Sequence, residues 1–218
     1  MIRKNDIIEF IDCNDIKNKE DIISQLYSIY DISHDEYSPS KYVIDNIVEY
    51  YIEILKDKEI KYERRKTQLS KLKNLKLPEQ RSTEWYEMRK DKLTASSLGS
   101  AISKSHFQTR DELILSKIED KPYEMNPITE WGVKYEDVAI VFYEELYNVK
   151  IQDFGMIPHP DFNAFGASPD GICDDTGNDE YVGRMVEIKC PPKRKFTKTV
   201  PPHYLMQVQG QIEVCDLD

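Results

Sequence analysis

The turn-rich stretch Asp174-Asp175-Thr176-Gly177-Asn178-Asp179 constrains this chain more than any other feature, because it folds the segments on either side of it back on each other. On one side stands Ser168-Pro169-Asp170-Gly171, and on the other Glu187-Ile188-Lys189, which reads as the next strand. Side chains alternate along a strand, so Glu187 and Lys189 share one face while Ile188 points into the core. At the end of such a hairpin Asp170 and Glu187 converge.

Two carboxylates and one lysine brought together in this way are the minimum kit for metal-assisted cleavage of a phosphodiester. Mg²⁺ is a hard cation that takes oxygen ligands and keeps several waters, so a carboxylate pair with substrate phosphate oxygens suits it, with Mn²⁺ as a stand-in. A bound metal lowers the pKa of its water and offsets charge on the attacked phosphate. Lys189 beside the pair would position water or neutralise charge in the transition state. The competing reading takes Asp170-Gly171 as a turn signal only and Glu187 and Lys189 as an exposed strand face.

Further motifs surround this constellation. Trp131-Gly132-Val133-Lys134-Tyr135-Glu136 opens a segment with apolar residues at Trp131, Tyr135, Val138, Phe142 and Leu146, a helical spacing that runs to about Tyr147 with Glu136 beside the stripe. Tyr204-Leu205-Met206-Gln207-Val208-Gln209 starts a second amphipathic helix, and upstream Glu84-Trp85 leads to Arg89 and then Leu93-Thr94-Ala95-Ser96. Together, over about residues 80 to 218, these five motifs in order resemble the lambda-exonuclease branch of the PD-(D/E)xK nucleases, also called YqaJ-like viral recombinases.

The resemblance implies a restriction-endonuclease-like α/β (α+β) core, a central mixed β-sheet flanked by helices. It implies that Glu136, Asp170 and Glu187 bind Mg²⁺ with the Ile188 carbonyl as a further ligand, that Lys189 is the catalytic lysine, and that Gln207 lies in the active site. Arg89, Ser96 and Ser168 resemble the pocket for the 5′-phosphate of the strand being digested. The implied activity is a Mg²⁺-dependent exonuclease working 5′→3′ on linear double-stranded DNA ends, in recombination, repair or replication-end processing. A single-strand annealing protein is the implied companion, and homo-oligomers are compatible with it. Two rivals stay open: a non-catalytic DNA-end-binding relative and, among enzymes, an endonuclease. Residue by residue, Glu136 and Gln207 also read as solvated helix positions, Arg89 as an ion-pair partner and Ser96 as a helix N-cap.

Charge is the main objection to a nucleic-acid enzyme, since the net charge is −10. It is unevenly spread. Residues 61–110 hold 13 Lys and Arg against 5 Asp and Glu, and residues 111–180 hold 4 against 17. The basic stretch contains Arg89 and Ser96, and the acidic one contains Glu136 and Asp170. Contacts from Lys and Arg to phosphates supply affinity without sequence readout. Lys193-Arg194-Lys195 and Arg64-Arg65-Lys66 suit either DNA contact or a solvated face. Cys13, Cys173, Cys190 and Cys215 include no C-x-x-C pair, which argues against a disulfide framework, a zinc site or an iron–sulfur cluster. With no stretch of membrane-spanning length and no apolar leader, the expectation is a soluble intracellular protein, in the cytoplasm or, for a viral protein, the host nucleus.

The composition divides near Pro78. Residues 1–77 read as helical, with Ile22, Ile23, Leu26 and Ile29 on one face and Ile44, Ile47, Val48, Tyr51, Ile52 and Leu55 on another. Ser33 to Ser40 reads as the loop between them, and a lysine-rich helix leads toward residues 78–218. In that second part helices are expected at Thr83 to Arg89, from about Ala95 and at Arg110 to Ile118, with a strand through Val149 to Ile157. Lambda-type enzymes continue beyond the glutamine helix, so the expectation is a nuclease domain shortened at its C-terminus.

Overall fold

The structure, a computed structural model, describes residues 3–14, 18–32, 39–119, 126–193 and 199–218. It forms two compact units, Met1–Glu63 and Arg64–Asp218. The first is helical: α1 (Lys4–Asn14), α2 (Lys19–Ile29) and the first part of α3 (Pro39–Lys73). Apolar residues three to four apart give each helix one stripe, and Ile7, Ile11, Ile22, Leu26, Ile44 and Val48 interlock as its core. Two tyrosines reach across: Tyr27 donates to Asp45 at 2.5 Å and Tyr51 to Asp12 at 2.5 Å. The expected loop at Ser33 to Ser40 lies mostly outside the described residues. The division between units falls inside α3 rather than near Pro78, because the last turns of that helix bury Leu69 and Leu72 within the second unit.

The second unit is mixed α/β, mostly helical, with two small sheets. Helix α4 (Thr83–Lys90) starts at Ser82, whose hydroxyl accepts from the Trp85 amide. Strand β1 (Leu93–Thr94) follows, then a 3₁₀ turn (Ala95–Ser97), the short α5 (Leu98–Ala101) and α6 (Arg110–Ile118), which opens on a Thr109–Glu112 capping box. Helix α7 (Pro127–Tyr147) is capped by Asn126 and ends on a left-handed Asn148. Strands β2 (Ile151–Gln152), β3 (Ile157–Pro158), β4 (Phe165–Ala167), β5 (Gly171–Cys173) and β6 (Met185–Val186) precede α8 (Pro202–Cys215). One sheet has the order β1-β4-β3, with β1 parallel and β3 antiparallel to β4. The other, β2-β5-β6, is antiparallel, and β5–β6 is the hairpin expected across Asp174–Asp179. Helix α8 packs on the 3₁₀ turn, α5 and β4.

Three expectations are corrected. In place of one central mixed sheet, the described strands are two or three residues long and split into two three-stranded sheets. The strand expected through Val149 to Ile157 breaks into β2 and β3, which belong to different sheets. At the break Gly155 presses so closely on residue 78 that a Cβ would lie 1.8 Å from the Pro78 carbonyl oxygen, and the Gln80 amide binds Asp153 and the Phe154 carbonyl at 2.8 Å each. Finally, Glu187-Ile188-Lys189 lies just past β6 rather than on a strand, because the Ile188 amide donates to Asp170 at 2.6 Å and not to a ladder.

Candidate functional site

Asp170 sits between β4 and β5, where Gly171 fixes its approach: a Cβ at residue 171 would meet Ile151 at 2.1 Å. Its Oδ2 takes the Ile188 amide, so the two ends of the hairpin are locked together at the residues proposed to act. Ile188 itself packs with Val149, Cys173 and Val186. Glu187 is nearly enclosed. Its Oε1 accepts from Gln207 Nε2 at 2.6 Å and from Lys189 Nζ, and its Oε2 accepts from Gln211 Nε2 at 2.6 Å. Gln207 and Gln211 are one helical turn apart on α8 and both are buried, so they present two amides side by side to one carboxylate.

Glu136 comes from α7. The stripe of Trp131, Val138, Phe142 and Leu146 faces solvent, with Leu146 74% exposed, and the half-covered face is the one that carries Gly132, Glu136, Ala139 and Tyr143. Glu136 Oε1 accepts from Arg81 Nη2 at 2.7 Å. Glu136, Asp170, Ile188 and Lys189 line one cleft of about 850 Å³, whose wall also includes Phe107 and Tyr204. Glu187 and Gln207 are not on that wall.

The carboxyl groups register this crowding. Burial pushes the Asp170 carboxyl up to about 7, and the charge of Glu187 adds to the push against the pull of Lys189 and the Ile188 amide. Burial also raises Glu136, opposed by Arg81. Lys189 is the converse case: burial works to lower its pKa, but the charge and hydrogen bond of Glu187, with Asp170, outweigh it and hold the ammonium charged. Its Nζ lies 5.3 Å from the centre of the Tyr204 ring. Among the described residues, no three His, Cys, Asp or Glu are grouped to hold a metal ion.

The second set of residues is joined through Trp85. Arg89 Nη2 donates to Ser96 Oγ at 3.2 Å, and the guanidinium stacks 4.2 Å from the centre of the Trp85 ring. On its other side the Trp85 indole N–H donates to Ser168 Oγ at 3.0 Å. Arg89 and Ser96 therefore meet directly and Ser168 meets them through the tryptophan. Lys117 Nζ braces the end of α4 by donating to the Arg89 carbonyl at 2.6 Å. Four residues here escaped the sequence reading: Gln211, Arg81, Trp85 as a bridge, and Lys117. Only Gln211 carried a signal, its i+4 spacing from Gln207.

The model of the YqaJ-like viral recombinase domain matches residues 84–218. Uncharacterized protein R354 of Acanthamoeba polyphaga mimivirus is 32% identical over 173 residues, which is 74% of this chain; the chain spans about a third of the length of that relative, 32%. Among solved structures, LHK-Exo in complex with dAMP is 28% identical with a TM-score of 0.48, covering 62% of this chain and 70% of that one. The alkaline exonuclease LHK-Exo from Laribacter hongkongensis, in a second structure, is 30% identical with a TM-score of 0.46, covering 61% and 68%. With more than half of its length matched by the family model, and with the matched part holding every residue of the site but Arg81, this chain belongs to the YqaJ-like viral recombinase domain family.

Proposed function

We propose that this chain is a Mg²⁺-dependent DNA exonuclease that digests linear duplex 5′→3′ from phosphorylated ends. The observation that carries the reading is the fixing of Glu187 by three donors, Lys189, Gln207 and Gln211, beside an Asp170 whose charge the site disfavours. Such a set has little use in a protein that only binds.

The donor chemistry fits a hard cation. Asp170, Glu136, Glu187 and the Ile188 carbonyl offer oxygen only; burial first, and the charge of Glu187 second, drive Asp170 toward its neutral form, and a divalent cation would offset both. The ion, when bound, would polarise the attacked phosphate and lower the pKa of its water. The chain's own groups do the rest. Gln207 and Gln211 keep the Glu187 carboxylate from rotating, and Lys189, held charged by Glu187, offsets the charge that builds on the phosphate oxygens. Arg89 and Ser96, with Ser168 across Trp85, hold a terminal phosphate by charge-assisted and hydroxyl hydrogen bonds. Because Ser168 lies two residues before Asp170, an end anchored at the first puts a neighbouring phosphodiester near the second.

One observation favours the rival reading, a DNA-end-binding relative without catalysis: no group of three candidate metal donors is assembled among the described residues. A time course on linear and closed circular duplex, each with and without Mg²⁺, separates the readings. Loss of linear duplex only, faster from 5′-phosphate than from 5′-hydroxyl ends and with that preference gone in Arg89→Ala, is expected. Cleavage of circles would favour an endonuclease, and binding without digestion the rival.

A further inference from the structure

Gln80 and Arg81 precede the N-cap of α4 and stand outside the residues matched to the family model. Yet each touches the machinery. The Gln80 amide nitrogen donates to the carbonyl of Pro169, the residue before Asp170, at 2.9 Å, and also to Asp153 and Phe154. The Arg81 guanidinium, one residue on, donates to Glu136 Oε1 at 2.7 Å. Arg81 does so from a left-handed backbone, φ 66°, that a side chain with a Cβ adopts only against a steric penalty. A strained arginine whose side chain ends on a carboxylate of the cleft calls for a reason.

We propose that Arg81 is a positioning residue for Glu136, holding one carboxylate oxygen so that the other is presented to the divalent cation, with Gln80 fixing the Asp170 side of the same cleft. This rests on the metal-site reading above. Physically, a carboxylate on a helix surface samples several rotamers, and a cation that needs it in one of them has to bear the cost of freezing it. A guanidinium clamp removes that cost beforehand, as outer-shell partners of metal ligands do elsewhere. The left-handed turn matters because Ser82 must cap α4 and Gln80 must reach Pro169 at the same time, which leaves residue 81 to reverse the chain while aiming its side chain at α7.

The test uses the whole chain and Mn²⁺ alone, measured by calorimetry without DNA, together with the metal dependence of digestion. Arg81→Ala is expected to weaken Mn²⁺ binding on the order of tenfold or more and to raise the Mg²⁺ concentration for half-maximal rate by a similar factor. Arg81→Lys should recover part of the affinity. Arg81→Gly, which relieves the backbone, should melt at or above the wild-type temperature and still bind metal weakly; a residue with only a structural role would lose stability and affinity together. Unchanged or tighter Mn²⁺ binding in Arg81→Ala overturns the proposal, as does a fall in saturated rate at unchanged metal affinity, which would put the guanidinium on the phosphate. If the wild type binds no Mn²⁺, the metal-site reading itself fails and takes this proposal with it.

Discussion

At the scale of single residues, the tightest constraint is on Glu187. A carboxylate that accepts two amides and an ammonium has its lone pairs directed by the protein, and Gln211, the more buried of the two glutamines, directs Oε2. Removing it frees the carboxylate to turn. Gln211→Ala should reduce digestion about 10- to 100-fold while circular dichroism stays native, and a variant with wild-type rates would remove Gln211 from the site. Asp170 supplies a second expectation. Because its folded pKa, about 7, lies above that of an ordinary aspartate, the metal-free fold prefers the protonated form. Both states are protonated at low pH, so nothing is lost there. As pH rises toward 7 the unfolded chain ionises first, stability drains away, and above 7 the loss is complete. Metal-free Asp170→Asn should thus be more stable than wild type at pH 8, by on the order of 2–4 kcal/mol, and nearly equal at pH 4. Since a cation competes with that same proton, wild-type Mg²⁺ affinity should rise with pH up to about 7 and then level off. Denaturant midpoints of both proteins across that range, with and without Mg²⁺, check both statements.

At the scale of elements, α8 does two things: it delivers Gln207 and Gln211, and it packs closely enough on the 3₁₀ turn and β4 to hold them still. Gly210 makes the approach possible, since a Cβ there would stand 2.5 Å from Leu98, 3.1 Å from Ala95 and 3.2 Å from Phe165. Helix propensity alone favours alanine at such a position by about 1 kcal/mol. Overpacking reverses the sign, so Gly210→Ala should destabilise by about 1–3 kcal/mol in urea unfolding and lower activity through the glutamines. Much of this element order was legible in the sequence, because its signals are local. The turn chemistry of Asp174–Asp179 set the β5–β6 hairpin, α6 keeps its expected span of Arg110–Ile118, and the glutamine helix began within two residues of its expected start. What failed depends on tertiary contacts. The apolar period of α7 located the helix but does not say which side docks, and the docking side carries Gly132, Glu136 and Tyr143. The run from Val149 to Ile157 has strand composition, and only the closeness of residues 78–80 breaks it. Arg81 left no trace, because nothing in a sequence marks a left-handed arginine.

At the scale of the whole molecule, the outward face of α7 leaves an apolar stripe uncovered among the described residues. Val138, Val141, Phe142 and Leu146 are between 49% and 74% exposed. They recur at helical spacing on the helix that also carries Glu136. Scattered exposed apolar side chains are ordinary, but a continuous stripe of branched and aromatic residues costs free energy in water and favours association with another apolar surface. Such a face, closed on a second copy, would tie the position of Glu136 to assembly. Electrostatics would oppose such closure at low salt, since residues 111–180 carry 17 acidic groups. Self-association should therefore strengthen as ionic strength rises, whereas binding to DNA through the basic stretch 61–110 should weaken. Sedimentation across a salt series, on the wild type and on Phe142→Glu with Leu146→Glu, tests the idea. The substitutions should leave a monomer at all salt concentrations and leave duplex binding in EDTA unchanged. If the double variant sediments as the wild type does throughout, the stripe is not an interface between copies.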